Sequence, residues 1–176
     1  MTRTTIAIAV LALTVAAGGC DDSPTNPTNP GDQTNPEFRA TLTSGNEVPP
    51  VTNADAGASG TMNITFNVTR DANGTITAAT ADFNGTFTGF PPGTAFTAAH
   101  IHPGGAGVNG APVVNLALSP GEITFANGSG SLSKTGLAAS VADVNAIIAN
   151  PAAFYFNAHT AANPGGAVRG QLVRTN

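Results

Sequence analysis

The sequence predicts an all-β protein: an antiparallel Greek-key sandwich or barrel with one short helix. Three observations lead there. Apolar residues recur at every second position through most of the chain, not at helical spacing. The runs are short and are separated by turns rich in Gly, Pro and Asn. Only 9% of the residues are charged, while Thr, Asn, Gly and Ala are abundant, a composition that suits a secreted β protein. A chain of 176 residues allows one domain of ordinary size.

The first stretch stands apart from that domain. Residues 1–19 read as a signal peptide, with Arg3 at the start, a nearly unbroken apolar run over 6–17, and small residues Ala16-Ala17-Gly18-Gly19. The apolar run is shorter than the roughly 20 residues a bilayer span needs. Cys20 follows directly and is the only cysteine. This arrangement resembles a bacterial lipoprotein signal, although Ala17 stands where Leu is more usual. The resemblance implies lipidation of Cys20 and an extracytoplasmic protein anchored in a bacterial membrane, periplasmic or at the cell surface. A plain secretory signal with an incidental cysteine is the alternative, and it leaves a lone thiol in an oxidising compartment unexplained. Residues 20–36 then form a tether in which Thr-Asn-Pro occurs at 25–27, 28–30 and 34–36. Its prolines favour an extended chain reaching up to roughly 50 Å.

The domain spans 37–176. After a first strand at 38–43, Gly60, Met62, Ile64, Phe66 and Val68 alternate with polar residues, as in a half-buried strand. Asp71-Ala72-Asn73-Gly74 is turn chemistry, and 75–82 returns as the second arm of a hairpin. Further strands are expected at 86–89, 96–102, 112–118, 122–125, 129–133, 153–159 and 168–174. The helix comes late. Ser140 reads as a cap, Val141, Val144, Ile147 and Ile148 recur at helical spacing, and Asn150-Pro151 ends the run.

The chemistry-bearing residues are few. Net charge is −4, and loss of Arg3 with the signal moves it to about −5. There is no basic cluster, so nucleic acid is not an expected partner. A Ser-His-Asp triad needs a nucleophile held beside a base, and no serine sits in a recognisable strained turn, so no enzyme is expected. Gly105-Ala106-Gly107-Val108-Asn109-Gly110 formally matches a dinucleotide fingerprint, but the next segment reads as a strand where that motif needs a helix. The three histidines are His100, His102 and His159. Alternation sets His100 and His102 opposite Ala99 and Ile101, and sets Tyr155, Asn157 and His159 opposite Phe154, Phe156 and Ala158. If the aromatic face is core, all three histidines lie on outer faces and adjacent strands would bring them together. Three neutral imidazoles with an open fourth position would suit Zn²⁺ or Cu²⁺. The alternative is a set of imidazoles that hydrogen-bond neighbouring loops. Glu47 and Arg169 read as a structural ion pair joining the first loop to the last hairpin, or, alternatively, Arg169 as a receptor for an anionic ligand.

Several blocks resemble the CHRD domain, named for chordin. They are 42–51 (Leu-Thr-Ser-Gly-Asn-Glu-Val-Pro-Pro-Val), 98–104 (Ala-Ala-His-Ile-His-Pro-Gly), 109–114 (Asn-Gly-Ala-Pro-Val-Val), 155–160 (Tyr-Phe-Asn-Ala-His-Thr) and 164–172 (Pro-Gly-Gly-Ala-Val-Arg-Gly-Gln-Leu). The resemblance implies an immunoglobulin-like or barrel domain used outside the cytoplasm as a non-catalytic binding or structural module, its protein partner or ligand undefined. More distantly, a His-X-His strand, a later strand ending in His and a Gly-rich closing hairpin resemble Cu/Zn superoxide dismutase. That likeness implies a barrel in which His100, His102 and His159 match three copper ligands. A fourth copper histidine, the further zinc ligands and the disulfide cysteines have no counterpart here. The second expectation is therefore a metal-binding or redox protein using Cu or Zn at three histidines.

Overall fold

Period-two alternation becomes a sheet whose inner face is apolar along every long strand. The computed structural model describes residues 34–176; the expected signal peptide, the lipidation site Cys20 and the tether up to residue 33 lie outside them. Nine strands are present among the described residues: β1 (Glu37–Thr43), β2 (Ser59–Arg70), β3 (Ile76–Thr88), β4 (Thr94–Pro103), β5 (Val114–Asn115), β6 (Thr124–Phe125), β7 (Gly130–Ala138), β8 (Phe154–Thr160) and β9 (Val168–Arg174). They pair antiparallel in the order β5-β4-β8-β9-β1-β2-β3-β7, and β6 also pairs with β4. Because β6 runs through a tight turn into β7, the two ends of this order meet and the sheet nearly closes into a barrel.

Apolar side chains fill the interior. Phe38, Leu42, Met62, Ile64, Phe66, Phe83, Ile101, Phe156 and Leu172 are all buried in one cluster. At one end four aromatic rings interlock, with Phe96 4.8 Å from both Phe87 and Phe125, and Phe90 stacked on Phe125 at 5.0 Å. Helix α1 (Val141–Ala149) covers the barrel beside β3 with Val144 and Ile147. Ser140 caps it as expected, its hydroxyl accepting from Asp143 N–H at 3.1 Å.

Several expected boundaries differ: β7 runs on to Ala138, β6 shortens to Thr124–Phe125, and two more differ for a local reason. The segments 75–82 and 86–89 form one continuous strand, β3, despite Asn84-Gly85 between them. Gly85 serves close approach, not a turn: a Cβ there would sit 2.5 Å from the Met62 methyl and 2.8 Å from the Thr61 carbonyl. Of the expected strand 112–118, only β5 pairs. Ala117 takes a positive φ of 49°, and its N–H donates to Asn115 Oδ1 at 2.7 Å, which curls the chain away from β4.

Phe96→Ala is expected to destabilise the domain by about 3–5 kcal/mol, because the cavity opens inside an interlocked cluster. Val173→Thr, at an exposed outer position of β9, is expected to change stability by less than about 0.5 kcal/mol. Urea unfolding of both variants checks the difference.

Candidate metal centre

Strand register builds the site. On β4 and β8, His100 lies opposite Asn157, His102 opposite Tyr155, and Ala98 opposite His159. On β8 and β9, Tyr155 lies opposite Gln171 and Asn157 opposite Arg169. Ala99, Ile101, Phe156, Ala158, Val168 and Leu172 point into the core. The alternate residues, including all three histidines, therefore share the outer face of three neighbouring strands. That face is covered. The connections 44–58, 104–113 and 161–167 fold over it, so every residue of β8 is buried. His102 is 6% and His159 9% exposed, and His100 is partly exposed.

The three imidazoles converge, with one donor nitrogen from each within 4.8 Å of the others. His102 Nδ1 lies 2.8 Å from the Gly110 carbonyl and His159 Nδ1 3.0 Å from the Pro164 carbonyl. A carbonyl only accepts, so in the neutral ring both Nδ1 atoms carry the proton and both Nε2 atoms carry a lone pair. His159 Nε2 is 3.1 Å from His100 Nδ1, which must then be the donor. His102 Nε2 is buried and has no hydrogen-bond partner. Burial holds all three pKa values below the usual histidine range. For His100 burial, with the neighbouring His159 and His102 adding to it, brings the value to about 4. For His102 burial outweighs the opposing pull of the Gly110 carbonyl and the Asn157 side chain, and for His159 that of the Pro164 carbonyl. The cluster is thus neutral at pH 7, with the His102 Nε2 lone pair unpartnered and that of His159 Nε2 engaged by the His100 Nδ1–H.

The surrounding shell comes from the covering loops. His102 stacks on Tyr155 at 4.9 Å with planes 3° apart, and the Arg169 guanidinium lies 3.4 Å from the Tyr155 ring centroid. Arg169, 1% exposed, donates to Asn109 Oδ1 at 2.9 Å and to the carbonyls of Gly105 and Val108 at 2.9 and 2.7 Å. Asp55 secures the loop after β8, accepting from Thr160 Oγ1 at 2.7 Å and Asn163 Nδ2 at 2.6 Å.

Glu47 and Arg169 are brought to this site, but not as the direct ion pair expected between them. The guanidinium makes its three hydrogen bonds to the 105–109 segment, and the charge of Arg169 reaches Glu47 through space. Glu47 is 5% exposed, and its Oε1 has no hydrogen-bond partner. Burial raises its pKa to about 7 against the opposing pull of Arg169 and the Asn157 amide. Gly166, at φ 142°, packs so closely that a Cβ would collide with this carboxylate.

The donor set fits a transition-metal ion. Bonds of about 2.0–2.1 Å put two ligands of one ion at most about 4.2 Å apart, so the rings need to close by roughly 1 Å. Neutral imidazoles alone suit Cu or Zn better than Ca or Mg. Sequence reasoning located the three histidines and, by alternation, Tyr155 and Asn157 beside them. It missed the Gly110 and Pro164 carbonyls, since backbone groups leave no residue signature. The CHRD domain family model matches residues 38–172. No curated protein and no solved structure matches the chain.

Glu47 ionises near 4.5 when unconstrained and near 7 in the fold, so the folded state binds the extra proton between these values. Its contribution to stability is fully present below 4.5 and is lost as pH rises through about 7. The histidines run oppositely: theirs is present above 6.5 and is lost as pH falls, for His100 towards about 4. Glu47→Gln is therefore expected to gain stability over wild type at about pH 8 relative to about pH 5, by roughly 2–3 kcal/mol. Denaturant titrations at the two pH values check this, and an equal effect at both would contradict it.

Proposed function

We propose that this chain, which belongs to the CHRD domain family over residues 38–172, is a non-catalytic binding module displayed outside the cytoplasm, and that it binds one Cu or Zn ion. The observation that carries the metal reading is the buried His102 Nε2, which has no hydrogen-bond partner, in a cluster of three imidazoles that each bring one ring nitrogen within 4.8 Å of the others. Leaving such an acceptor unsatisfied costs on the order of 1–3 kcal/mol. A bound cation supplies the missing partner, and Nδ1–H···O=C contacts at His102 and His159 are the outer-shell bonds that orient metal-ligating histidines. When bound, the ion would be held by one ring nitrogen from each of His100, His102 and His159, with further coordination open to a small ligand.

The display reading rests on sequence. Residues 1–19 have signal-peptide character, Cys20 follows small residues, and 20–36 reads as an extended tether. The first strand starts at Glu37, directly after it. On this reading the membrane is met through acyl chains on Cys20, where more than one chain gives stable anchoring.

Protein purified from metal-replete medium is expected to carry about one equivalent of Cu or Zn. Chelation is expected to lower its melting temperature, since an ion at a hundredfold excess over Kd stabilises by about 2.7 kcal/mol. His102→Gln with His159→Gln should abolish both effects. Absence of stoichiometric metal together with no thermal shift on adding either ion would overturn the metal reading. For the anchor, Cys20→Ala is expected to move the protein from the membrane fraction to the soluble fraction, and retention on membranes would contradict lipidation there.

A further inference from the structure

Arg169 is the largest side chain buried in the domain, yet none of its donors reaches a histidine or a carboxylate. Its three hydrogen bonds all go to one short segment, 105–110, which contains Gly105, Gly107 and Gly110. Glycine-rich chain loses much conformational freedom when ordered and has little apolar surface to hold it down. A single guanidinium bonds three of its six residues. Two side contacts complete the tie: Asn109 Nδ2 donates to the Val48 carbonyl at 2.9 Å, and Gly110 N–H donates to Tyr155 Oη at 3.3 Å. The far end of this segment presents the Gly110 carbonyl to His102 Nδ1. A Cβ at Gly110 would fall on the Pro103 carbonyl, so this end seats directly on β4.

We infer that Arg169 is a positioning residue for the histidine cluster: by clamping residues 105–109 it holds the Gly110 carbonyl on His102 Nδ1, and so keeps the His102 Nε2 lone pair turned to the other imidazoles. Tyr155 serves the same end, lying with one neighbour in His102 and the other in Arg169. A lysine could not substitute, because one ammonium on a flexible stem lacks the planar fork that serves three acceptors and stacks on a ring. The effect on metal rests on the function proposed above, whereas the effect on the His102 tautomer is a property of the metal-free protein.

The test uses the full domain-bearing chain without metal, with ring-nitrogen NMR reporting the tautomer of each histidine. Wild type is expected to hold His102 in the Nδ1–H form. Arg169→Lys, and the milder Asn109→Ala at an exposed loop position, are expected to populate the Nε2–H form of His102 while leaving His159 unchanged, because His159 is held by the other loop. Competition with a chelator should then show Zn²⁺ or Cu²⁺ bound about 10–100-fold more weakly than by wild type. If Arg169→Lys does not fold, Asn109→Ala decides the question. Folded variants with the wild-type His102 tautomer would overturn the inference, as would a shifted tautomer with metal affinity unchanged. Wild type that binds no metal yet shows the tautomer shift would refute the metal reading and leave the positioning role standing.

Discussion

The outer face of β8 is buried, and the rest of the site follows from that constraint. An antiparallel barrel normally leaves its outer face to water. Here Tyr155, Asn157 and His159 lie beneath three loops, together with His100 and His102 from β4 and Arg169 and Gln171 from β9. Polar groups under such cover require partners. Most find them in loop backbone: His102 at Gly110, His159 at Pro164, Arg169 at Gly105 and Val108, and Gln171 at Gly104, Ala152 and Phe154. Three buried atoms of this layer do not: His102 Nε2, Glu47 Oε1 and Asn157 Oδ1.

Burial also sets the charge of the layer. It favours the neutral form of four groups, lowering the three histidines and raising Glu47. The Arg169 guanidinium makes three hydrogen bonds to the 105–109 segment and lies over the Tyr155 ring. A cation placed among the imidazoles would draw Glu47 towards its ionised form, since opposite charges reinforce one another where water is excluded.

Much of this was legible in the sequence because alternation is a local property. The faces of β4 and β8 could be read from Ala99, Ile101, Phe154 and Phe156, and that alone put the histidines on one side. Ser140 and Asn150-Pro151 bounded the helix where it occurs. What could not be read depends on distant chain. Asn84-Gly85 looks like a turn until Met62 is known to occupy the space beside it. Arg169 looks like a partner for Glu47 until the carbonyls of residues 105 and 108 are seen to take its donors. The outer face looks wet until the loops are folded over it.

The central claim is that His100, His102 and His159 form one metal centre. An anomalous-difference map from crystals grown with zinc, recorded at the zinc absorption edge, tests it most directly. The account predicts one strong peak bonded to a ring nitrogen of each histidine at about 2.0–2.1 Å. No peak among the three imidazoles, or zinc bound at other residues with His102 Nε2 still unpartnered, would contradict it.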